Sequence, residues 1–245
     1  MKQGIFKIKE NKALTPLVYR MVLEGDCSAV TAPGQFVNVR LPELYLRRPI
    51  SVCNVDGNTL TLVYKCVGKG TEAMSRMEQG TELDLLTGLG NGYELSVSGD
   101  RPLLLGGGVG VPPLYLLARR LVEQGKEPAV ILGFNTAEEI FYRDEFEALG
   151  IRVYVTTADG SAGIRGFVTD AMKELDYTYF YACGPLPMLK ALYRAAKGSG
   201  QLSLEERMGC GFGACMGCSM ETADGFKRIC KDGPVFRKEA LLWET

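Results

Sequence analysis

Four cysteines near the C-terminus stand in the spacing Cys210-x4-Cys215-x2-Cys218-x11-Cys230. Thiolates are soft ligands for iron and zinc. Three of them in one short loop, with a fourth further along, is the spacing of plant-type 2Fe–2S sites, where a tight loop wraps the cluster. Glycines 209, 211, 213 and 217 interleave with these cysteines. Lacking a Cβ, they let the backbone bend closely and aim N–H groups at sulfur. Zinc held by four thiolates is the competing reading, but such sites usually present two separated C-x2–4-C pairs. The spacing therefore favours iron–sulfur. Cys27, Cys53 and Cys66 fall in strand patterns and read as small core hydrophobes.

Two further segments could hold phosphate. Gly106-Gly107-Gly108-Val109-Gly110 follows an apolar run and opens a helix, where N-terminal N–H groups favour anions. It fails the strict G-x-G-x-x-G fingerprint, because Val111 and Pro113 occupy the required glycine positions. A nucleotide site and a purely structural strand–helix turn both fit it. Cys183-Gly184-Pro185 ends a later strand of the same pattern, so the two turns should face one crevice at the carboxyl ends of the strands. Taken alone, Cys183 reads as a buried thiol. Earlier, Arg47-Arg48-Pro49-Ile50-Ser51 starts a strand with two cations, a proline and a hydroxyl, and an arginine there could grip a pyrophosphate bidentately. Gly68-Lys69-Gly70-Thr71 leads into a short helix, a second candidate phosphate seat. A solvated strand end followed by an ordinary turn fits those residues equally well.

Histidine is absent. That removes Ser–His and Cys–His catalysis and imidazole ligation, so any chemistry falls to a cofactor. Lys and Arg total 28 against 29 Asp and Glu, a balance that supplies no field to collect nucleic acid. Apolar stretches such as Pro102–Leu105 and Val111–Ala118 are far shorter than the ~20 residues a membrane span needs. The polar start, Met1-Lys2-Gln3, lacks a signal-peptide core. Clustered rather than dispersed cysteines argue against a disulfide framework. These features together imply a cytoplasmic protein.

The elements that must position these residues fall into three modules. Short strands at this spacing suit a small barrel or sandwich, and residues 1–99 are read as an antiparallel β-barrel. It has strands at Val18–Leu23 and Gln35–Leu41 and a hairpin of Arg48–Val55 with Thr59–Val67 turning at Asp56-Gly57-Asn58. A short helix is expected at Thr71–Met77. Residues 100–198 alternate strand and helix, predicting an α/β doubly wound parallel sheet. Its strands are Pro102–Leu105, Ala129–Phe134, Arg152–Thr156 and Tyr177–Ala182. Its helices lie after Pro112 and near Tyr142–Leu149, Phe167–Leu175 and Met188–Ala196. After Gly198 the alternation stops, leaving 199–245 as a small cysteine-bearing tail.

These motifs, in this order, resemble the ferredoxin-reductase flavoproteins. Arg48–Ser51 resembles their R-x-[YPF]-[ST] motif, departing from it at Ile50, while Gly106–Pro113 matches their G-G-G-x-G-x-x-P turn and Cys183–Pro185 their C-G-P segment. The tail Met208–Cys218, with Thr157–Ser161 and Gly166–Asp170, is similar to the electron-transfer subunits of NAD-dependent (class 1B) dihydroorotate dehydrogenases. The resemblance spans essentially the whole chain. It implies FAD held by Arg48, Pro49, Ile50, Ser51, Tyr64, Lys65, Cys66, Val67, Gly70 and Thr71. It implies a 2Fe–2S cluster on Cys210, Cys215, Cys218 and Cys230. It also implies NAD(H) at Gly107, Gly108, Val109, Gly110, Cys183, Gly184 and Pro185. No catalytic residue of its own is expected. The implied partner is an FMN-containing dihydroorotate dehydrogenase catalytic subunit, in a two-plus-two heterotetramer of pyrimidine biosynthesis. Asp159 favours NAD, while nearby Arg165 leaves NADP open.

Two rivals stand beside this reading. The β-type subunit of a sulfide dehydrogenase or ferredoxin–NADP reductase complex shares the module order, but usually carries Asp-Gly before the first ligand, where this chain has Met208-Gly209. A zinc-stabilised nucleotide-binding regulator would have no redox role.

Overall fold

Along Lys2–Ala13 (β1) alternate side chains turn inward: Phe6 and Ile8 are buried while Lys7 and Lys9 face water. This is the period-2 pattern of a half-buried strand, although the segment is too polar to stand out by hydrophobicity. The computed structural model describes residues 1–243. It continues with β2 (Val18–Glu24), β3 (Phe36–Val39), β4 (Arg48–Asp56), β5 (Thr59–Lys65), a short helix α1 (Lys69–Ser75) and β6 (Glu82–Leu89). The strands close into an antiparallel barrel in the order β1-β2-β5-β4-β3-β6. The expected β4–β5 hairpin forms, with Asp56 opposite Thr59. The expected barrel forms, closed by strands β1 and β6, which the sequence reading did not place: β1 bonds both β2 and β6, leaving no edge. Met21, Leu23, Val37, Leu60, Leu62 and Leu85 fill the barrel.

The second half supplies β7 (Pro102–Gly107), α2 (Pro113–Glu123), β8 (Ala129–Phe134), α3 (Arg143–Glu147), β9 (Arg152–Thr157), β10 (Ile164–Arg165), α4 (Val168–Met172), β11 (Tyr179–Cys183), α5 (Leu186–Ala195) and β12 (Gly200–Ser203). A hairpin, β13 (Ser219–Thr222) with β14 (Gly225–Arg228), then a single turn α6 (Ile229–Asp232) and β15 (Val235–Arg237) follow. The sheet order is β10-β9-β8-β7-β11-β12-β15, parallel except for β15. β7, β11 and β12 are buried on both sides, as covered parallel strands must be, while β10 at the edge is exposed. Leu104, Val130 and Leu132 pack on one face with α2 and α3; Leu103, Leu105, Ala129 and Ile131 pack on the other with α4 and α5. Helices α3 and α4 are shorter than their apolar patterns suggested.

The tail does not hang free. β12 extends the parallel sheet beyond β11, and β15 pairs antiparallel to β12. Cys218, Ile229, Cys230 and Leu241 join the same apolar cluster as Phe36 and Leu89 of the barrel and Leu189 of α5. The last two residues assigned to the tail, 244 and 245, lie outside the described residues. Among the described residues no helix is long and apolar enough to cross a membrane.

One ion pair latches the barrel. The Arg47 guanidinium donates to both carboxylate oxygens of Asp84 on β6, each at 3.0 Å, and to the main-chain carbonyls of Asp84 and of Asn38 on β3. Both side chains are mostly buried, 20% and 15% exposed, which places the pair beyond the weak class of surface bridges. Burial by itself would raise the Asp84 pKa, but the Arg47 hydrogen bonds and charge outweigh it and the value lies below the ordinary one. A carboxylate whose folded pKa is depressed contributes stability above the unfolded value of ~3.9, and that contribution is lost as pH falls through the folded value. Asp84→Asn should cost about 1.5 kcal/mol near neutral pH. In urea titrations between pH 7 and pH 3, the gap between parent and variant should narrow on the acid side. A pH-independent gap would remove the ion pair as its cause.

Candidate functional site

Between β7 and β11 the sheet reverses its direction of growth: β8, β9 and β10 add on one side, β12 and β15 on the other. In open α/β sheets ligands bind outside the carboxyl ends of the strands at such a point. The turns that leave these two neighbours are Gly106–Gly110 and Cys183–Pro185, with Gly106 opposite Cys183 in the ladder. They lie backbone against backbone. A Cβ on Gly110 would stand 2.2 Å from the Cys183 carbonyl oxygen, so only glycine permits the approach.

A first cleft of about 360 Å³ opens where the barrel meets this point. Arg48, Pro49, Ile50 and Ser51 of β4 form one wall, with Tyr64, Lys65, Val67 and Thr71; Val109, Cys183 and the segment after β12 form the other. Two of the expected residues sit behind the wall. Cys66 donates its thiol to the Thr71 carbonyl, and Gly70 lies under the Arg48 side chain, whose Nε is 2.3 Å from where a Cβ would stand. Thr71 is a turn-closer: its hydroxyl accepts from the Val67 N–H at 2.9 Å and donates to the Gly68 carbonyl. The structure also separates the two adjacent arginines. Arg47 is consumed by Asp84, whereas Arg48 has no carboxylate within ion-pair distance among the described residues and faces the cleft.

A second cleft of about 590 Å³ runs along the carboxyl ends of β7, β8 and β9. Gly107, Gly108, Val109 and Pro185 line it with Phe134, Thr156, Phe167 and Met188, while Gly110 and Gly184 are buried behind the turns. Thr156 is fully buried, and its hydroxyl has no partner among the described residues, an orphaned polar group facing this space. Lys65, Val109 and Glu205 line both clefts, which therefore meet. Asp159 and Arg165 do not line either; the Asp159 carboxylate accepts from the N–H and hydroxyl of Ser161, and these bonds hold its pKa below the ordinary value.

Glu205, Ser203 and Met208 line the first cleft without having been expected there. No local pattern marks them, because they reach it only through the pairing of β12 with β11. Glu205 has exposed surface, but the cleft walls crowd its carboxyl and burial raises its pKa. Cys183 is pushed up to about 12 by burial, then by the Glu205 charge, so it is a neutral thiol rather than a nucleophile.

The four tail cysteines gather in two pairs. The Cys215 N–H points at the Cys210 sulfur at 3.5 Å, joined by the Ala214 N–H at 3.2 Å. The Cys230 N–H points at the Cys218 sulfur at 3.4 Å. Burial opposes ionisation of Cys210, but N–H groups of Cys215, Phe212 and Ala214 draw its pKa down to about 6. Burial and the neighbouring Cys218 push Cys230 up to about 12. Among the described residues no three ligating side chains converge on one point. Paired thiols suit two irons with two thiolates each better than one four-thiolate zinc ion, and the backbone N–H donors suit sulfur rather than oxygen ligands. The residues present thus fit a 2Fe–2S cluster. Cys215 is exposed, Cys210 partly so, and Cys218 and Cys230 are buried.

Residues 205–242 match the family described as the iron-sulfur cluster binding domain of dihydroorotate dehydrogenase B, and residues 104–194 the oxidoreductase NAD-binding domain. The chain is 44% identical over 245 residues to the dihydroorotate dehydrogenase B (NAD(+)) electron transfer subunit of Fusobacterium nucleatum, covering 94% of each chain. It is 45% identical to that of Shouchella clausii, covering 96% of each. Among solved structures it is similar to the NADH-dependent reduced ferredoxin–NADP oxidoreductase studied for flavin-based electron bifurcation, with a TM-score of 0.88 and 32% identity over 98% of this chain and 90% of the other. A Neisseria gonorrhoeae ferredoxin NADP+ reductase with bound FAD and NADP shares the fold, with a TM-score of 0.69 at 21% identity over 80% of this chain and 90% of that one. With the reversal point, both clefts and the paired cysteines in place, this chain belongs to the family of dihydroorotate dehydrogenase B (NAD(+)) electron transfer subunits.

Proposed function

We propose that the first cleft holds FAD, the second NAD(H), and the cysteine pairs a 2Fe–2S cluster, so that electrons run between NAD and a partner subunit through this chain. The observation that carries the reading is convergence. The two clefts share Lys65, Val109 and Glu205, and Met208, two residues before Cys210, lines the first cleft. The chemistry the bound groups supply is the conversion of a two-electron hydride donor into single-electron traffic.

The chain's own residues bind, orient and insulate. Arg48 offers a guanidinium to the pyrophosphate, and the β4 backbone with Tyr64 frames the flat ring system. The glycine turn after β7 brings main-chain N–H groups to the dinucleotide, and Pro185 with Met188 walls the far side. Cys183, neutral and buried, and the crowded Glu205 stand where the clefts meet. Asp159 and Arg165 line neither cleft, so the assignment of NAD(H) rests on the family and not on either side chain. Functionally, residues 1–99 serve the flavin, 100–198 the nicotinamide dinucleotide and 199–245 the cluster, although β12 and β15 of the last part are hydrogen-bonded into the sheet.

The partner is an FMN-containing dihydroorotate dehydrogenase catalytic subunit, two copies of each forming a heterotetramer, and the base that deprotonates dihydroorotate resides there. The 32% identity to the bifurcating oxidoreductase favours a second reading, a β-type subunit of a ferredoxin–NADP reductase complex. Copurification from the native host separates the two by the flavoprotein that comes along.

Cys215→Ser should remove most iron and silence the EPR signal of the dithionite-reduced protein, while NADH-to-dye activity stays within about two-fold. Loss of dye activity with FAD retained would reverse the proposed order of carriers. Arg48→Ala should lower FAD affinity by about ten-fold or more, the scale of a charge-assisted bidentate contact, read by flavin content after gel filtration. Unchanged content would take Arg48 out of the site.

A further inference from the structure

Strand β3 is buried along its whole length, and its sequence, Phe36-Val37-Asn38-Val39, places one amide among apolar neighbours. Asn38 is 1% exposed, and its Oδ1 has no partner among the described residues. A buried acceptor without a partner is destabilising, so valine or leucine would serve the barrel better. What the amide does supply is a donor: Nδ2 bonds the carbonyl of Cys210 at 3.0 Å. The contact continues into the next residue. Gly211 has φ +79°, and a Cβ there would stand 2.1 Å from Asn38 Nδ2, so the cysteine loop rests directly on the amide. On its other side Asn38 lies opposite Pro49 in the β3–β4 ladder, and Phe36 opposite Ser51.

We infer that Asn38 is a positioning residue that fastens the Cys210 loop to the Arg48–Ser51 strand and so fixes the separation and orientation of the two electron carriers. This rests on the reading of Cys210 as a cluster ligand and of β4 as the flavin strand. Each transfer takes one electron from NADH-reduced flavin and turns one ferric iron ferrous; no atom is exchanged, and Asn38 is neither oxidised nor reduced. Its contribution is geometric, like that of groups whose loosening by an ångström costs orders of magnitude in rate.

Asn38→Leu keeps the volume and deletes the donor; Asn38→Val deletes it with a smaller side chain suited to a strand. Both are made in the full chain with FAD and cluster in place. FAD and iron contents should match the parent, and dye reduction by Asn38→Leu should stay within about two-fold. Reduction of the cluster by NADH, followed by freeze-quench EPR, should slow by about ten-fold or more, with altered g-values. Parent-like cluster reduction in either variant, at full iron content, would overturn the inference. So would loss of iron with FAD retained, since Asn38 would then merely hold the cluster in. If Asn38→Leu fails to fold, Asn38→Val decides. A parent chain with no NADH-reducible cluster would instead sink the functional reading itself.

Discussion

The two turns that leave β7 and β11 lie so close that Gly110 cannot carry a side chain without meeting the Cys183 carbonyl. The rest of the molecule depends on that contact. It places the glycine turn and the Cys-Gly-Pro turn side by side at the reversal of the sheet, where a ligand can reach main-chain N–H groups and still face the barrel. Both clefts open from it, and Val109 lines the two together.

Around this point the barrel has one task, to present β4 edge-on to the cleft without letting the barrel open. Adjacent arginines divide the work by environment rather than by chemistry. Arg47 spends its donors on Asp84 and two carbonyls, a buried, fully used charge of the sort that fixes geometry. Among the described residues no carboxylate pairs with Arg48, whose guanidinium donates to the Leu46 carbonyl and lines the cleft. A third buried group, Asn38, reaches the other way and holds the cysteine loop. Strand β4 and the cysteine loop thus share one short strand, β3, as their common support.

The tail is built into both neighbours. β12 and β15 extend the sheet, and Cys218 and Cys230 are buried among side chains from the barrel and α5. The exposed pair member, Cys215, and the exposed Phe212 and Met216 lie on the outer side of the loop. One side of the cysteine site is therefore enclosed by protein while the other reaches the surface.

Much of this was legible in the sequence because it is local. The C-x4-C-x2-C run, the glycine turn after an apolar strand, the Arg48–Ser51 segment and the Asp56–Thr59 hairpin each declare themselves within a dozen residues, since ligand spacing and turn chemistry are short-range properties. What the sequence could not decide were pairings between distant segments. β1 is too polar to announce itself, yet its bonds to both β2 and β6 are what close the expected barrel. Glu205 and Met208 carry no motif and reach the cleft only because β12 aligns with β11. Nor does chemistry distinguish Arg47 from Arg48; that required Asp84, thirty-seven residues away, to claim one of them. Residue types and spacing set which cofactors the chain can hold, and long-range strand register set which side chains meet them.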